Sequence, residues 1–210
     1  MKLFASFSTT NAKPETLSVI ASKLTPMNFE IKNSGEISNE FLKLGIQDFT
    51  SACKFISLLP YKRNSNKENV LCVFEDSAGT CSTKHSTLRK LALENNKPEI
   101  KLILGIFKMD ANYAPKIKKT LEVNYLNYIP EAHNYLKIGS DYFDFTNLNS
   151  SYSEVENLLL IETEIEFDEI NHQKIQKHKE FLSNWIKDKP QFNLEQIWKI
   201  RESCITDLQN

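Results

Sequence analysis

Strong charge of either sign is missing from this chain. Its 26 Lys and Arg stand against 27 Asp and Glu, a formal net charge of -1 at pH 7. It therefore lacks the broad positive footprint with which a protein neutralises the phosphates of DNA or RNA. No stretch approaches the roughly 18 consecutive apolar residues of a membrane span. Met1–Phe7 holds one lysine, but its apolar character stops at Ser8-Thr9-Thr10-Asn11, too early for a secretory signal. Cysteine is sparse. Cys53, Cys72, Cys81 and Cys204 have no tight spacing, which fits reduced thiols in a cytoplasmic protein, although an even count also permits two disulfides. With no C-x-x-C or H-x-x-x-H pair, calcium loop or glycine-rich phosphate loop, neither metal nor cofactor is expected. Internal repeats and low-complexity linkers are absent as well.

What is present suffices for a full core: 40% hydrophobic and 25% charged residues over 210 positions. That size predicts one domain, or one domain with an added helical piece. Pro14 and Glu15 open a helix that ends at Thr25-Pro26, and Met27, Phe29 and Ile31 then alternate like a half-buried strand. Asp48 can cap a helix whose inner face is Phe49, Ala52, Cys53, Ile56 and Leu59. Lys62, Arg63 and Lys67 belong to a solvated loop. Val70–Phe74 reads as a strand or extended segment, and a helix starts at Cys81. Ile100, Leu102, Leu104 and Ile106 alternate through a strand. Residues 116–127 fit helix and strand alike. Stretches 131–138 and 141–146 form a hairpin across Gly139-Ser140.

Leu158–Phe167 adds a strand whose outer face carries Glu162, Glu164 and Glu166, a solvated ladder. Two helices close the chain. One buries Ile175, Phe181, Leu182, Trp185 and Ile186. The other is capped by Asn193 with Gln196 and buries Leu194, Ile197, Trp198, Ile205 and Leu208. His172 and His178 fall at surface or boundary positions. The class is α+β.

Two segments carry chemistry. Gly79-Thr80-Cys81 puts a thiol at a helix start, where unpaired amides and the helix dipole favour a thiolate. Downstream, Ala132-His133-Asn134 and Tyr142-Phe143-Asp144-Phe145-Thr146 put a histidine and an acid on the two arms of the hairpin. An imidazole can lower the thiol pKa and protonate a leaving group, and a carboxylate can fix its tautomer. Asp141 is a rival acid, better explained as a turn former. His85 lies one helical turn after Cys81. It is open to three readings: a supporting or substrate group, a metal ligand with Cys81 and His133, or a packed residue. Lys84 reads as an exposed lysine.

This ordered set resembles the transglutaminase-like superfamily of papain-fold cysteine enzymes over about residues 45–150. The matching positions are Gly79 and Cys81 at the helix start, Ala132-His133 on a strand, and Tyr142–Thr146 around the acid. The resemblance implies Cys81 as nucleophile, His133 as general base and acid, and Asp144 as orienting carboxylate. It also implies one transglutaminase-like domain over residues 1–210, with residues 168–210 as a C-terminal helical part. Asn134 stands where relatives often have an aromatic residue. Glu75 occupies the offset at which papain-like relatives can hold a glutamine that donates to the oxyanion. With His85, these two make up the expected substrate-binding or supporting group. The implied activity is cleavage or transfer at an amide or peptide bond of a peptide or protein substrate, through a thioester on Cys81. The competing expectation is an inactive binding or scaffold domain on the same fold.

Overall fold

The computed structural model describes residues 27–209. The helix expected from Pro14 lies outside them. Elements run in the order α1 (Glu36–Lys43), α2 (Phe49–Leu58), α3 (Cys72–Glu75), α4 (Cys81–Glu94), β1 (Ile100–Asp110), α5 (Lys118–Val123), β2 (Tyr128–Ile138), β3 (Asp141–Phe143), α6 (Ser153–Glu156), β4 (Leu159–Ile165), α7 (His172–Trp185) and α8 (Leu194–Gln209). This is an α+β arrangement. Its four strands form one antiparallel sheet in the order β3-β2-β1-β4.

The sheet is covered on both faces, which is why β1 is buried almost throughout. Leu102, Leu104 and Ile106 pack with α1, α2 and α4 through Phe41, Ile56, Leu88 and Leu91. Ile103, Phe107 and Met109 point the other way, toward Leu121, Leu182 and Ile197. Strand alternation assigns alternate residues to opposite layers. β4 is an edge strand, and the glutamates on it and just after it are partnered as well as exposed. Glu162 accepts from Tyr135, and Glu164 and Glu166 pair with Lys101 and Arg89.

Several local expectations need correction. Among the described residues, the stretch around Phe29 makes a single bridge, Glu30 with Asp48, and no strand. Val70–Phe74 is not extended but enters the short helix α3. There the Asn69 side chain accepts the Leu71 N–H and the Asn69 carbonyl accepts the Cys72 N–H. That Asx turn starts a helix, and Cys72 and Val73 enter the core. Residues 115–123 are helical, a 3-10 turn leading into α5. The caps read from sequence hold: Asp48 accepts from Ser51 N–H, and Asn193 and Gln196 bond reciprocally.

The hairpin turns at Gly139, whose φ of 61° lies in the left-handed region that glycine tolerates. β3 is short and pairs only as far as Phe143 with Leu136. β2 continues past that point, so residues 131–135 have no strand partner on that side, and α4 packs against β2.

Candidate active site

Entry into α4 is set by a close approach. A Cβ on Gly79 would lie 2.9 Å from Thr83 Oγ1 and 3.0 Å from Lys84 Cγ, so the chain passes against the first turn only because that carbon is missing. Thr80 caps the helix, its N–H donating to Thr83 Oγ1 at 2.9 Å. Cys81 follows as the first helical residue, with its backbone N–H among the amides a helix start leaves free.

His133 lies midway along β2, its ring edge-on to Phe107. One ring nitrogen, Nε2, is 2.8 Å from Asp144 Oδ2. The His133 imidazole and the Asn134 backbone N–H both act on the Cys81 sulfur, favouring its charged form. Asp144 falls one residue past the end of β3. Its Oδ1 accepts the Thr146 N–H at 2.8 Å, which fixes the carboxylate. Folding thus brings Cys81 into line with the hydrogen-bonded pair of His133 and Asp144.

The charge balance in that line is unusual. Burial by itself would push the Cys81 thiol up. The positive charges of Lys174 and His133, aided by the N–H groups of His133 and Asn134, outweigh it and bring the thiol down to about 6. Burial works against the charged form of His133 too, but the Asp144 carboxylate and the Cys81 sulfur beside it raise the imidazole to about 10. Asp144 is held below the ordinary carboxylate range: burial is overcome chiefly by the charge and hydrogen bond of His133. Both shifts favour a thiolate–imidazolium pair at neutral pH. The other thiols go the opposite way. Burial raises Cys53 well above its ordinary value and takes Cys72 and Cys204 to about 11. All four cysteines are free.

His85 is fully buried, and both its ring nitrogens are spent. Nε2 accepts the Phe145 N–H at 2.7 Å, so Nδ1 carries the proton and donates to the Cys81 carbonyl at 2.7 Å. It ties the nucleophile's backbone to the segment bearing Asp144. Burial lowers its pKa to about 4, and it stays neutral. Of the three readings open in the sequence, the supporting, packed one fits, with no ring nitrogen left for a metal. Among the described residues no three His, Cys, Asp or Glu side chains converge as ligands.

Lys84 corrects the expectation of an exposed lysine. It is fully buried, with Nζ donating to the carbonyls of Leu59 and Thr146 at 2.5 and 2.6 Å. Its reach exceeds one helical turn, so it pins the end of α2 and the Asp144 segment to the start of α4. Asn134 is buried against the site. Nδ2 donates to the Ile103 carbonyl, and Oδ1 accepts from Ser82 Oγ and Lys174 Nζ. Glu75 is the site expectation that fails. It ends α3 exposed to solvent, accepts from Asn69, and is not among the residues lining the cleft. Asp141 opens β3 beside the turn.

Above the sulfur lies a cleft of about 520 Å³. One wall is the loop bearing Tyr61, Arg63 and Lys67, which is exposed as expected, though Arg63 is paired with Glu202. The opposite wall is built by α7 and α8 through Lys174, His178, Trp198 and Arg201. The sequence missed this wall. His178 is buried, with Nε2 donating to the Pro130 carbonyl at 2.9 Å, and Ile175 is 37% exposed. The inward stripe of α7 is Lys174, His178 and Leu182. That spacing of four was visible, but two of its three members are polar.

No family model, curated protein or solved structure matches the chain. Its function rests on its own geometry. Among the described residues no helix is long and apolar enough to cross a membrane.

Proposed function

We propose that the protein is a cysteine enzyme of acyl transfer, similar in its core to the transglutaminase-like, papain-fold enzymes, that hydrolyses an amide or peptide bond through a thioester on Cys81. The observation that carries this reading is Cys81 at the start of a helix, lining a cleft, with the Asp144-bonded imidazole of His133 acting on its sulfur. The order of a helix start bearing the cysteine, a strand bearing the histidine and a turn leading to the acid supports the likeness.

In this mechanism the Cys81 thiolate attacks the carbonyl carbon, forming a C–S bond while the C=O pair moves onto oxygen. The His133 imidazolium gives its proton to the leaving nitrogen as the C–N bond breaks. The now neutral imidazole takes a proton from water, whose oxygen attacks the thioester. The acid departs and the thiolate–imidazolium pair returns. Asp144 orients the ring and stabilises its charge throughout. Hydrolysis is favoured over cross-linking because no acceptor-amine site is identified.

The inactive binding domain is a second reading, favoured by the 6% exposure of Cys81. Alkylation by iodoacetamide at pH 7, mapped by peptide mass, separates the two. The enzyme reading expects Cys81 to be modified far faster than Cys53, Cys72 and Cys204, and His133→Ala to abolish the difference. Equal, slow labelling of all four thiols favours the inactive domain. A screen of peptide and isopeptide substrates, with Cys81→Ala as control, then reads turnover.

A further inference from the structure

The Cys81 N–H supplies one donor to the oxygen that gains charge during attack, and acyl transfer at such centres ordinarily uses two. Glu75 is turned away and is an acceptor besides. The groups that face the sulfur across the cleft come from α7 instead. Lys174 Nζ is 2.7 Å from Ser82 Oγ and 2.7 Å from Asn134 Oδ1. Ser82 Oγ in turn is 4.0 Å from Cys81 Sγ. The ammonium therefore stands one hydroxyl away from the nucleophile, and both residues line the cleft.

An ammonium has three N–H donors. Two of Lys174's are spent on these neutral oxygens, and among the described residues no carboxylate lies within ion-pair distance of it. Arg201, the neighbouring cation on α8, is engaged by Glu131 and Glu202, and Arg63 by Glu202. Burial lowers the Lys174 pKa, opposed by the Cys81 sulfur and Glu131, and its third N–H has no partner among these groups; two side chains that flank the reacting pair in sequence hold it in place. Ser82 follows Cys81, and Asn134 follows His133.

We propose that Lys174 is the second oxyanion donor: with the Cys81 N–H it takes up the negative charge that forms on the carbonyl oxygen when the sulfur attacks. This assignment rests on the acyl-transfer reading. It gives the C-terminal helices a chemical part and explains why Asn134, polar and buried, follows the histidine. The step balances without a further reagent. The electron pair leaving the C=O bond rests on oxygen under the ammonium, and it returns to expel the amine, which takes the His133 proton.

Two reactions of Cys81 test this. Acylation by p-nitrophenyl acetate passes through an oxyanion, whereas alkylation by iodoacetamide does not. The ratio of their rates cancels any change in thiolate supply. Lys174→Met is expected to lower the ratio about 100-fold, the cost typical of losing one such donor, and Lys174→Arg to recover part of it. Lys174→Gln carries the same test if the methionine variant does not fold. An unchanged ratio in the Met or Gln variant overturns the proposal while leaving the acyl-transfer reading intact. Wild-type protein that is alkylated at Cys81 but never acylated overturns both.

Discussion

Cys81 and His133 share one proton economy, and neither titrates alone. Steps near pH 6 and pH 10 belong to the pair. Because the thiol lies below its ordinary value, the nucleophile is present above the lower step. Because the imidazole lies above its ordinary value, the proton for the leaving group is present until the upper one. Turnover is therefore expected to follow a bell with limbs near pH 6 and pH 10, measured as kcat/KM on a peptide substrate. Asp144→Asn removes the carboxylate that raises the imidazole, so its upper limb should move to lower pH. An upper limb that stays in place would deny Asp144 its part. At this scale much was legible, since the helix start, the histidine and the acid all stand in short local patterns. His85 was not resolved, because its role depends on which lone pair meets the Phe145 N–H, sixty residues away. Lys84 was misread because only packing reveals the Leu59 and Thr146 carbonyls that need a donor.

At the scale of elements, α4 is the unusual one. Nine of its fourteen residues are polar, yet eleven of the fourteen are buried. A buried helix is ordinarily apolar all round. Here the burial is sustained because the polar groups meet backbone oxygens of other segments. Ser86 donates to the Phe167 carbonyl, and Arg89 to those of Pro98 and Ile100. A periodicity reading cannot see partners of that kind. The same holds for α1, whose first N–H groups are accepted by Glu94 at the far end of α4. A cap supplied from another element leaves no local signature.

Gly79 sets where α4 begins. Gly79→Ala puts a methyl against Thr83, Lys84 and Val73. The helix start must then shift, which is expected to cost about 1–3 kcal/mol. Urea unfolding reads the stability and iodoacetamide reads Cys81, which should react more slowly as its line to His133 breaks. Unchanged stability and reactivity would mean the first turn tolerates the methyl.

Across the whole molecule, the C-terminal helices are a wall of the cleft rather than an appendage. Arg201 on α8 makes a paired, largely buried contact with Glu131, two residues before His133 on β2. Removing one partner strands the other charge, a loss of about 3 kcal/mol or more in such pairs. Arg201→Met should therefore loosen α7 and α8 together, seen as faster amide hydrogen exchange over residues 172–209, and should lower turnover as Lys174 leaves the sulfur. Exchange confined to wild-type rates would show that apolar packing alone docks these helices.

The sequence by itself determined the α+β class, the hairpin about Gly139, the caps at Asp48 and Asn193, and the local setting of Cys81 at a helix start and of His133 on a strand. Each of these rests on residues a few positions apart, where backbone preference and side-chain alternation act directly. Tertiary structure alone decided that Lys174 faces the thiol, that Glu75 does not, and that a polar helix could be the buried centre. Those outcomes depend on charges and carbonyls that meet only after the chain has closed around them, and hydrogen bonds between distant segments leave no period in the sequence.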